Sequence, residues 1–373
     1  MGILYDHEEW AVYAEGKQLL IWREGTLVNE WTVQGIQDYQ FYTAEDELVI
    51  IGNWGQGLTR LRIKEGTEEL SEESALRTSF HIAQFQILPS SGVILAYDKV
   101  AGVLHLFNSR EERYQGFIKA HPAQTSFSSH GPSEFQVFVR DFDPASLVIK
   151  TYLNRYRLRG SNASLINTIP MEGLFIKRWV VRSACGAFFA VISTSECEQA
   201  CQLKFFLQDA SIPFHTETLE GHAVSAAFVS PLKLFLILRL AQGNALCLLN
   251  LESSHTHQLL SLEAEFIRSS HEIDEAGNFT QPSSVPAITH LDSNLKLVNS
   301  SSNSIFFVMN SAPNILFCWS FTKNIDSHLD TWAFPAKVVS LGELNSATVA
   351  AVCLTENPTS LSKIEISQPF SGP

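Results

Sequence analysis

Residues 220–251 read EGHAVSAAFVSPLKLFLILRLAQGNALCLLNL, and they show most clearly a pattern that recurs along the chain. It consists of short apolar segments separated by a Ser-Pro pair at 230–231 and a Gly-Asn pair at 243–244. Short apolar runs bounded by turn residues indicate β-strands. The last of these segments ends in a bulky residue, Leu249, immediately before the polar Asn250.

The same ending recurs along the chain. A bulky residue closes a short strand before a polar turn at Trp22, Leu61, Phe107, Tyr152, Phe206, Leu249, Trp319 and Ile366. The intervals between these positions are 39, 46, 45, 54, 43, 70 and 47 residues. A repeat of about 40–50 residues that is built only from strands is typical of a β-propeller, in which each repeat forms one blade of four antiparallel strands.

The strand patterns also place the blades. Complete sets of strands occupy residues 36–72, 81–119, 122–169, 175–219, 223–267 and 291–335. Trp10–Val33 and Ala336–Ser367 each supply about three more strands. Propellers commonly join their termini in one shared blade, which removes an exposed sheet edge. We therefore predict an all-β chain that forms a single β-propeller domain over residues 1–373 with seven blades. Six terminal strands exceed the needs of one blade, so eight blades is the alternative.

One segment interrupts the repeat. Residues 268–290 contain two prolines and no strand periodicity, and they account for the interval of 70 residues. Long segments of this kind are commonly mobile or are ordered by a partner. We predict a flexible insertion loop, and ordering by a partner is the alternative.

Composition limits the classes of function. The net charge of −13 argues against a protein that coats nucleic acid. Residues 1–182 hold 18 of the 26 Lys and Arg, so the second half is poor in charge. The apolar strands of this second half are either unusually buried, or part of their surface contacts a partner.

The sequence also predicts the compartment. Residues 1–9 lack the basic and apolar regions of a signal peptide, and no apolar stretch reaches the length of a membrane span. The six cysteines are expected to be buried thiols in a reducing environment. We predict a cytoplasmic or nuclear protein that is not secreted, and the sequence leaves open whether it is the front of a longer chain.

A family resemblance appears in the stretch quoted first. Gly221-His222 opens the repeat, the Ser-Pro and Gly-Asn pairs stand in its first two turns, and Leu249-Asn250 stands where Trp-Asp is usual. This repeat resembles a WD40 repeat, and the chain resembles divergent WD40-like propellers that are built into larger assemblies. No repeat keeps the Asp, His, Ser/Thr and Trp set of regular WD40 blades. Apolar packing between sheets is therefore expected to replace that polar network.

The sequence shows no catalytic constellation. It contains no Gly-x-Ser-x-Gly elbow, no Gly-rich phosphate loop and no His-Glu-x-x-His. Three pairs have a spacing that a metal ion could use: His255 with His257, Cys197 with Cys201, and Asp141 with Asp143. Simpler interpretations exist for all three: the histidines lie on a solvated strand, the cysteines are incidental thiols of a hairpin, and the aspartates belong to a polar turn. We predict no catalytic residue, no metal site and no cofactor.

A basic segment is the candidate binding site. It contains Lys150, Arg155, Arg157, Arg159, Lys177, Arg178 and Arg182, against the single acid Glu172. In a strand, the alternating arginines at 155, 157 and 159 share one face, and we predict that this strand is the outermost of its blade. Such a row suits paired hydrogen bonds to carboxylates or phosphates. The alternatives are a solvated strand whose charges deter edge pairing, an acidic protein partner, or nucleic acid.

An acidic run lies elsewhere. Glu65, Glu68, Glu69, Glu72 and Glu73 fall within nine residues. A solvated acidic loop is the expectation, and docking to a basic partner is the alternative.

These observations predict a non-catalytic scaffold that holds other proteins in a multi-subunit complex. One alternative is an adaptor that recognises a peptide or substrate, of the ubiquitin-ligase or chromatin type. Another is a non-catalytic helper subunit of an RNA-modifying enzyme. A propeller enzyme would need carboxylates or histidines that recur at the blade period, and no such recurrence is found.

Overall fold

The computed structural model describes residues 10–15, 18–23, 26–32, 38–44, 47–64, 70–88, 92–108, 113–120, 128–129, 133–143, 146, 148–159, 162–173, 177–183, 185–195, 199–241, 243–251, 256–261, 267–273, 279–280, 295–300, 304–309, 312–320, 328–334, 338–345, 348–354 and 361–367. Every regular element in these ranges is a β-strand. Within them, no helix has the length and hydropathy that a membrane crossing requires. The chain divides into two compact units, which take in the described residues of Thr32–Glu220 and of Met1–Trp31 with Gly221–Pro373.

The unit within Thr32–Glu220 contains four sheets of four strands. Sheet 2 is β4 (Asp38–Ala44), β5 (Glu47–Asn53), β6 (Gly57–Lys64) and β7 (Leu70–Arg77). Sheet 3 is β8 (Ile82–Leu88), β9 (Val93–Asp98), β10 (Val103–Asn108) and β11 (Arg113–Lys119). Sheet 4 is β12 (Ser128–Ser129), β13 (Glu134–Asp143), β14 (Val148–Arg159) and β15 (Asn162–Met171). Sheet 5 is β16 (Lys177–Arg182), β17 (Phe188–Ser195), β18 (Ala200–Leu207) and β19 (His215–Glu220).

The other unit contains the remaining sheets. Sheet 1 is β1 (Trp10–Glu15), β2 (Gln18–Arg23) and β3 (Thr26–Thr32). Sheet 6 is β20 (His222–Ser230), β21 (Lys233–Leu240), β22 (Gly243–Asn250) and β23 (Thr256–Ser261). Sheet 7 is β24 (Ile267–Ile273), β25 (Phe279–Thr280), β26 (Leu295–Ser300), β27 (Ser304–Met309), β28 (Ala312–Ser320) and β29 (His328–Ala333). Sheet 8 is β30 (Val338–Asn345), β31 (Thr348–Leu354) and β32 (Leu361–Ser367).

The bulky residues that mark the repeat occupy equivalent places. Those of sheets 2 to 6 and of sheet 8 lie on the third strand, and Trp319 lies on β28, the third strand of the antiparallel run β26 to β29. Trp22 lies on β2, the middle strand of three-stranded sheet 1. The prediction of four-stranded antiparallel sheets is confirmed. Sheets 1 and 8 are paired separately among the described residues, and the number of blades and the single domain over 1–373 stay predictions.

The loop predicted at 268–290 is partly wrong. Strand β24 runs parallel to β29, with Ser270 opposite Thr331, and β25 pairs with β24. The outer edge of sheet 7 supplies unpaired backbone groups, so a segment without strand periodicity still gains hydrogen bonds there. Residues 274–278 and 281–290 lie outside the described residues, and their predicted flexibility stays a prediction.

Apolar packing joins sheets 2 to 5 within one unit and sheets 6 and 7 within the other. All six residues of β9 are buried, as are all six of β27, because both faces of each strand meet another sheet. Between sheets 4 and 5, Phe138 packs in one cluster with the rings of Phe189 and Phe206, which stack at a centroid distance of 4.9 Å. Cys201, Cys247 and Cys318 are buried thiols, as predicted, whereas Cys185 is exposed, so the prediction is wrong for that cysteine. The expectation that apolar packing carries the inter-sheet contacts agrees with these clusters.

Gly221, from the WD40-like repeat, lies where two backbones approach closely. Its φ is +96°, a conformation that L side chains rarely adopt. A Cβ atom added there would lie 2.7 Å from the carbonyl oxygen of Arg239 and 2.6 Å from a methyl group of Leu240. The glycine therefore lets the chain enter β20 directly beside β21.

Substitution of Gly221 is expected to destabilise the protein. Gly243 also has a positive φ, of +137°, but an added Cβ there meets no atom within 4 Å. Gly221→Ala should therefore lower the free energy of unfolding by about 1–3 kcal/mol more than Gly243→Ala, because only the first adds a steric clash to the backbone strain. Urea unfolding of both variants measures the difference, and equal losses would contradict the close approach.

Candidate functional site

The basic segment lies on β14, on β16 and in their flanks, but not on an outermost strand. Strand β14 pairs with β13 on one side and with β15 on the other, so it is the third strand of sheet 4. The prediction that Arg155, Arg157 and Arg159 lie on the outermost strand is therefore wrong. The apolar stretch before Arg155 and the basic stretch after it are one continuous strand of 12 residues.

Arg155 and Arg157 do share one face, as the alternation predicts, and there they meet Glu134. The Nε of Arg155 donates to Glu134 Oε2 at 2.8 Å, and its Nη2 contacts the same oxygen. The Nε of Arg157 donates to Glu134 Oε1 at 2.6 Å. Arg155 also donates through Nη1 to Asp209 Oδ1 at 2.8 Å and to the Gln208 carbonyl at 2.7 Å. This ion-pair network links sheet 4 to the turn between β18 and β19 of sheet 5.

The network fixes the charge of Glu134. Burial on its own would raise the pKa of this carboxyl, but the hydrogen bonds and charges of Arg155 and Arg157 outweigh burial and hold its pKa below the usual 4.5. Arg155 itself is only 5% exposed. Its guanidinium group is therefore an internal link between two sheets, which leaves it little access to a partner.

The side chain of Arg178 is also buried, and that of Arg182 is partly buried. Arg178 is 3% exposed and donates through Nη2 to the carbonyl oxygens of Glu172 and Gly173 at 2.8 and 2.7 Å. Burial lowers its pKa to about 10. Burial, and next the charge of Arg155, lower the pKa of Arg182 to about 10 against an opposing effect of Glu134. Both side chains stay cationic at neutral pH.

The exposed remainder of the basic segment is small. Lys150, Arg159 and Lys177 are exposed, and Arg157 is half-exposed. The ammonium of Lys177 lies 4.9 Å from the ring centroid of Trp179. Contact of a partner with the exposed side chains of the basic segment stays a prediction. Arg155 and Arg178 are buried, so a partner has little access to them.

A second surface was not singled out from the sequence, and it begins at the turn between β9 and β10. The carboxylate of Asp98 accepts hydrogen bonds from the backbone N–H groups of Val100 and Ala101 at 2.9 and 3.0 Å. Gly102 follows with φ +64° and donates its N–H to the Asp98 carbonyl at 3.0 Å. These bonds hold the turn rigidly and leave Val100 95% exposed.

Strand β11 forms the second part of this surface. A register shift between Leu106 and Phe107, beside Gly116 at φ +131°, marks a β-bulge. The bulge brings both Tyr114 and Phe117 against His105, at centroid distances of 5.8 and 6.3 Å. Phe117 nevertheless stays 61% exposed.

The imidazole ring of His105 packs against the aromatic side chains of this surface. Its ring stacks on Phe80 at 4.1 Å, and its Nδ1 lies 3.3 Å from the hydroxyl oxygen of Tyr114. Burial lowers the pKa of His105, against a smaller opposing effect of the Asp98 carboxylate. The imidazole is therefore neutral at physiological pH.

The hairpin of β13 and β14 supplies the third part. Phe142 lies directly opposite Ile149, and these side chains are 54% and 51% exposed. Together the three parts line an open groove of about 580 Å³ between sheets 3 and 4, which we call the apolar groove. Its lining residues are Val100, Ala101, Gly102, Val103, Phe117, Lys119, Ala120, Arg140, Asp141, Phe142 and Ile149.

Local signals could have indicated the groove from the sequence. Asp98 and Gly102 have the spacing of a tight turn, and Gly116 within a strand pattern suggests a bulge. The juxtaposition of Phe117 with Phe142 has no such signal, because it depends on how sheets 3 and 4 pack.

The pairs with metal-like spacing give no site in the part of the chain that the structure describes. Within it, no group of three or more His, Cys, Asp or Glu is placed to hold an ion. Cys197 and His255 lie outside the described residues, as do the side chains of His257 and Asp143. Residues 65–69 of the acidic run also lie outside them, and so do the side chains of Glu72 and Glu73.

Comparison with known proteins identifies the fold. No protein-family model matches the sequence, and no curated protein matches it either. Hsv2 of Kluyveromyces lactis is similar with a TM-score of 0.53 and 8% identity, over 87% of this chain and 93% of that chain. Hydrazine synthase of Kuenenia stuttgartiensis is similar with a TM-score of 0.50 and 8% identity, over 86% and 92%. These similarities confirm the predicted fold class, an all-β propeller, and the resemblance to WD40-like propellers stays a prediction.

The ion-pair network predicts unequal effects of two arginine substitutions. Arg155→Ala should lower the free energy of unfolding by about 3 kcal/mol, because it leaves the buried Glu134 with one partner fewer. Arg159→Ala, on the same strand but exposed, should change it by no more than about 0.5 kcal/mol. Urea unfolding followed by tryptophan fluorescence compares them, and two equal midpoints would show that Arg155 is not a structural link.

The same network predicts a dependence on pH. Because the pKa of Glu134 is lowered in the folded state, its stabilising effect is complete above the unfolded pKa near 4.5 and is lost as the pH falls through the folded pKa. The difference in free energy of unfolding between the wild type and Glu134→Gln should therefore be largest at pH 7 and shrink below pH 4.5. Glu172→Gln, at an exposed carboxyl, is the matched control. A difference independent of pH would contradict the assignment.

Proposed function

We propose that this chain is a non-catalytic protein-interaction subunit, a rigid propeller scaffold that binds other proteins through the apolar groove. The observation that carries the proposal is the exposure of four large apolar side chains around one concave surface. Val100, Phe117, Phe142 and Ile149 are each more than half exposed. Contiguous apolar surface of this kind marks interaction sites on soluble proteins, whereas single exposed apolar residues are ordinary.

The local structure supports this function. Water-exposed apolar side chains cost free energy, so a chain usually turns them inward where its backbone permits. Here the backbone holds them outward: Asp98 fixes the turn that carries Val100, and the bulge at Gly116 orients Phe117. Groups held in place before binding lose little conformational entropy when a partner arrives.

The fold is compatible with this role but does not dictate it. β-Propellers present loops and sheet edges as fixed platforms, and the same fold hosts unrelated activities. The similarity to a hydrazine synthase illustrates this range. The proposal therefore depends on the groove and not on the fold alone.

The exposed cations of the basic segment supply a second contact in this proposal. Lys150, Arg159 and Lys177 would pair with an acidic segment of another subunit. Nucleic acid is not proposed as the ligand, because two of the predicted contacts, Arg155 and Arg178, are buried within the fold. The predicted location in the cytoplasm or nucleus is retained as part of the proposal.

Substitutions in the groove should remove partners without unfolding the protein. Val100→Asp combined with Phe142→Ser places polar groups where a partner would bury apolar ones. Each change should cost about 1–2 kcal/mol of binding, which is roughly tenfold in affinity. Affinity purification of the tagged protein from its native cells, with quantitative mass spectrometry, measures the loss.

Ile212→Asp is the matched control. Ile212 is 76% exposed in the β18–β19 turn and does not line the groove. The expected result is stoichiometric partners with the wild type and with Ile212→Asp, and depletion with the groove variant at an unchanged melting temperature. If the groove variant retains every partner, the groove is not the contact surface.

A further inference from the structure

The rim of the apolar groove carries positive charge. Lys119 and Arg140 line it, and Lys99 stands beside Val100 in the rigid turn, all with exposed side chains. Asp141 is the acid among the lining residues, and its Oδ1 accepts the backbone N–H of Phe142 at 3.0 Å. The groove is thus locally basic on a chain whose net charge is −13.

The size and walls of the groove suit a short segment of chain. The groove is open and has a volume of about 580 Å³, which is enough for a few side chains of a partner segment. One wall is the turn that Asp98 holds, and the other is the paired hairpin with Phe142 opposite Ile149. Side chains that protrude from a short segment can enter this open groove between the two walls.

We infer that the apolar groove binds a short acidic segment of a partner protein, in which large apolar side chains are flanked by Asp or Glu. This inference rests on the proposed function and names the chemistry of the partner. The apolar side chains bury Val100, Phe117 and Phe142, and the flanking carboxylates meet Lys119 and Arg140 at the rim.

The two parts of the ligand have different effects on binding. Apolar burial supplies most of the affinity, because it removes the exposed surface from water. Rim charges pair weakly in solvent, but they steer association and select against partners of the wrong sign. A basic segment with the same apolar residues would place like charges together at the rim and is rejected.

A peptide display experiment tests this inference. A library of random twelve-residue peptides is selected on the immobilised full chain, and peptides that also bind the Val100→Asp, Phe142→Ser variant are discarded. The expected survivors carry Asp or Glu next to Leu, Ile, Phe or Trp. Their affinity should fall about tenfold in Lys119→Glu, Arg140→Glu, and should fall as salt is raised. Ile212→Asp should bind them like the wild type.

Charge reversal gives the sharpest outcome. The same library selected on Lys119→Glu, Arg140→Glu should yield peptides rich in Lys or Arg around the same apolar residues. Survivors without charge preference on either protein would overturn the acidic assignment. Circular dichroism and the melting temperature establish that each variant is folded before selection.

The inference and the proposed function fail in different ways. In one outcome, partners are lost from the Val100→Asp, Phe142→Ser variant but still bind the Lys119→Glu, Arg140→Glu variant and still bind at high salt. The groove is then a protein contact, and the assignment of an acidic ligand is wrong. If neither peptides nor cellular partners depend on the groove residues, the proposed function itself fails at this surface.

Discussion

The burial of apolar sheet faces against neighbouring sheets within each unit governs the rest of this structure. A four-stranded antiparallel sheet pairs the backbone groups between its strands, but two apolar faces remain to be covered. The cores show the solution: one cluster joins Phe235 of sheet 6 to Phe307 and Trp319 of sheet 7, and another joins Leu95 of sheet 3 to Phe135 of sheet 4. Apolar contact carries these interfaces, supplemented between sheets 4 and 5 by the Arg155 network.

This constraint explains which features of the fold the sequence predicts and which it does not. Third strands carry bulky apolar residues that pack between sheets, so the positions from Leu61 to Ile366 recur at blade length and predict the sheets. Strand β14 departs from this pattern, because it continues past Tyr152 to Arg159 and carries basic residues there. The alternation of Arg155 and Arg157 predicts a shared face, but the same pattern occurs on a solvated strand and on a buried one. Their acidic partners lie 21 to 54 residues away in the chain, so only the packing of sheets 4 and 5 reveals the burial. Strand β24 was missed for a similar reason, since the edge of sheet 7 and not local periodicity orders it.

In the candidate site, too, some features follow from local residues and others depend on how the sheets pack. The turn at Asp98 and the bulge at Gly116 follow from local residues, and each carries an apolar side chain to the surface. The groove exists only because the β13–β14 hairpin of sheet 4 stands beside them. The proposed function therefore depends on a junction of two packed sheets, whose interiors hold the surface in place.

Hydrogen–deuterium exchange of the full chain, alone and with its co-purified partner, is the best test of whether the apolar groove binds a partner. If a partner binds in the apolar groove, it should slow amide exchange in peptides that cover residues 98–103, 117–120 and 140–150, with little change around the β18–β19 turn. Protection confined to other parts of the chain, with exchange at these three segments unaltered, would contradict the assignment of the apolar groove as the site of partner binding.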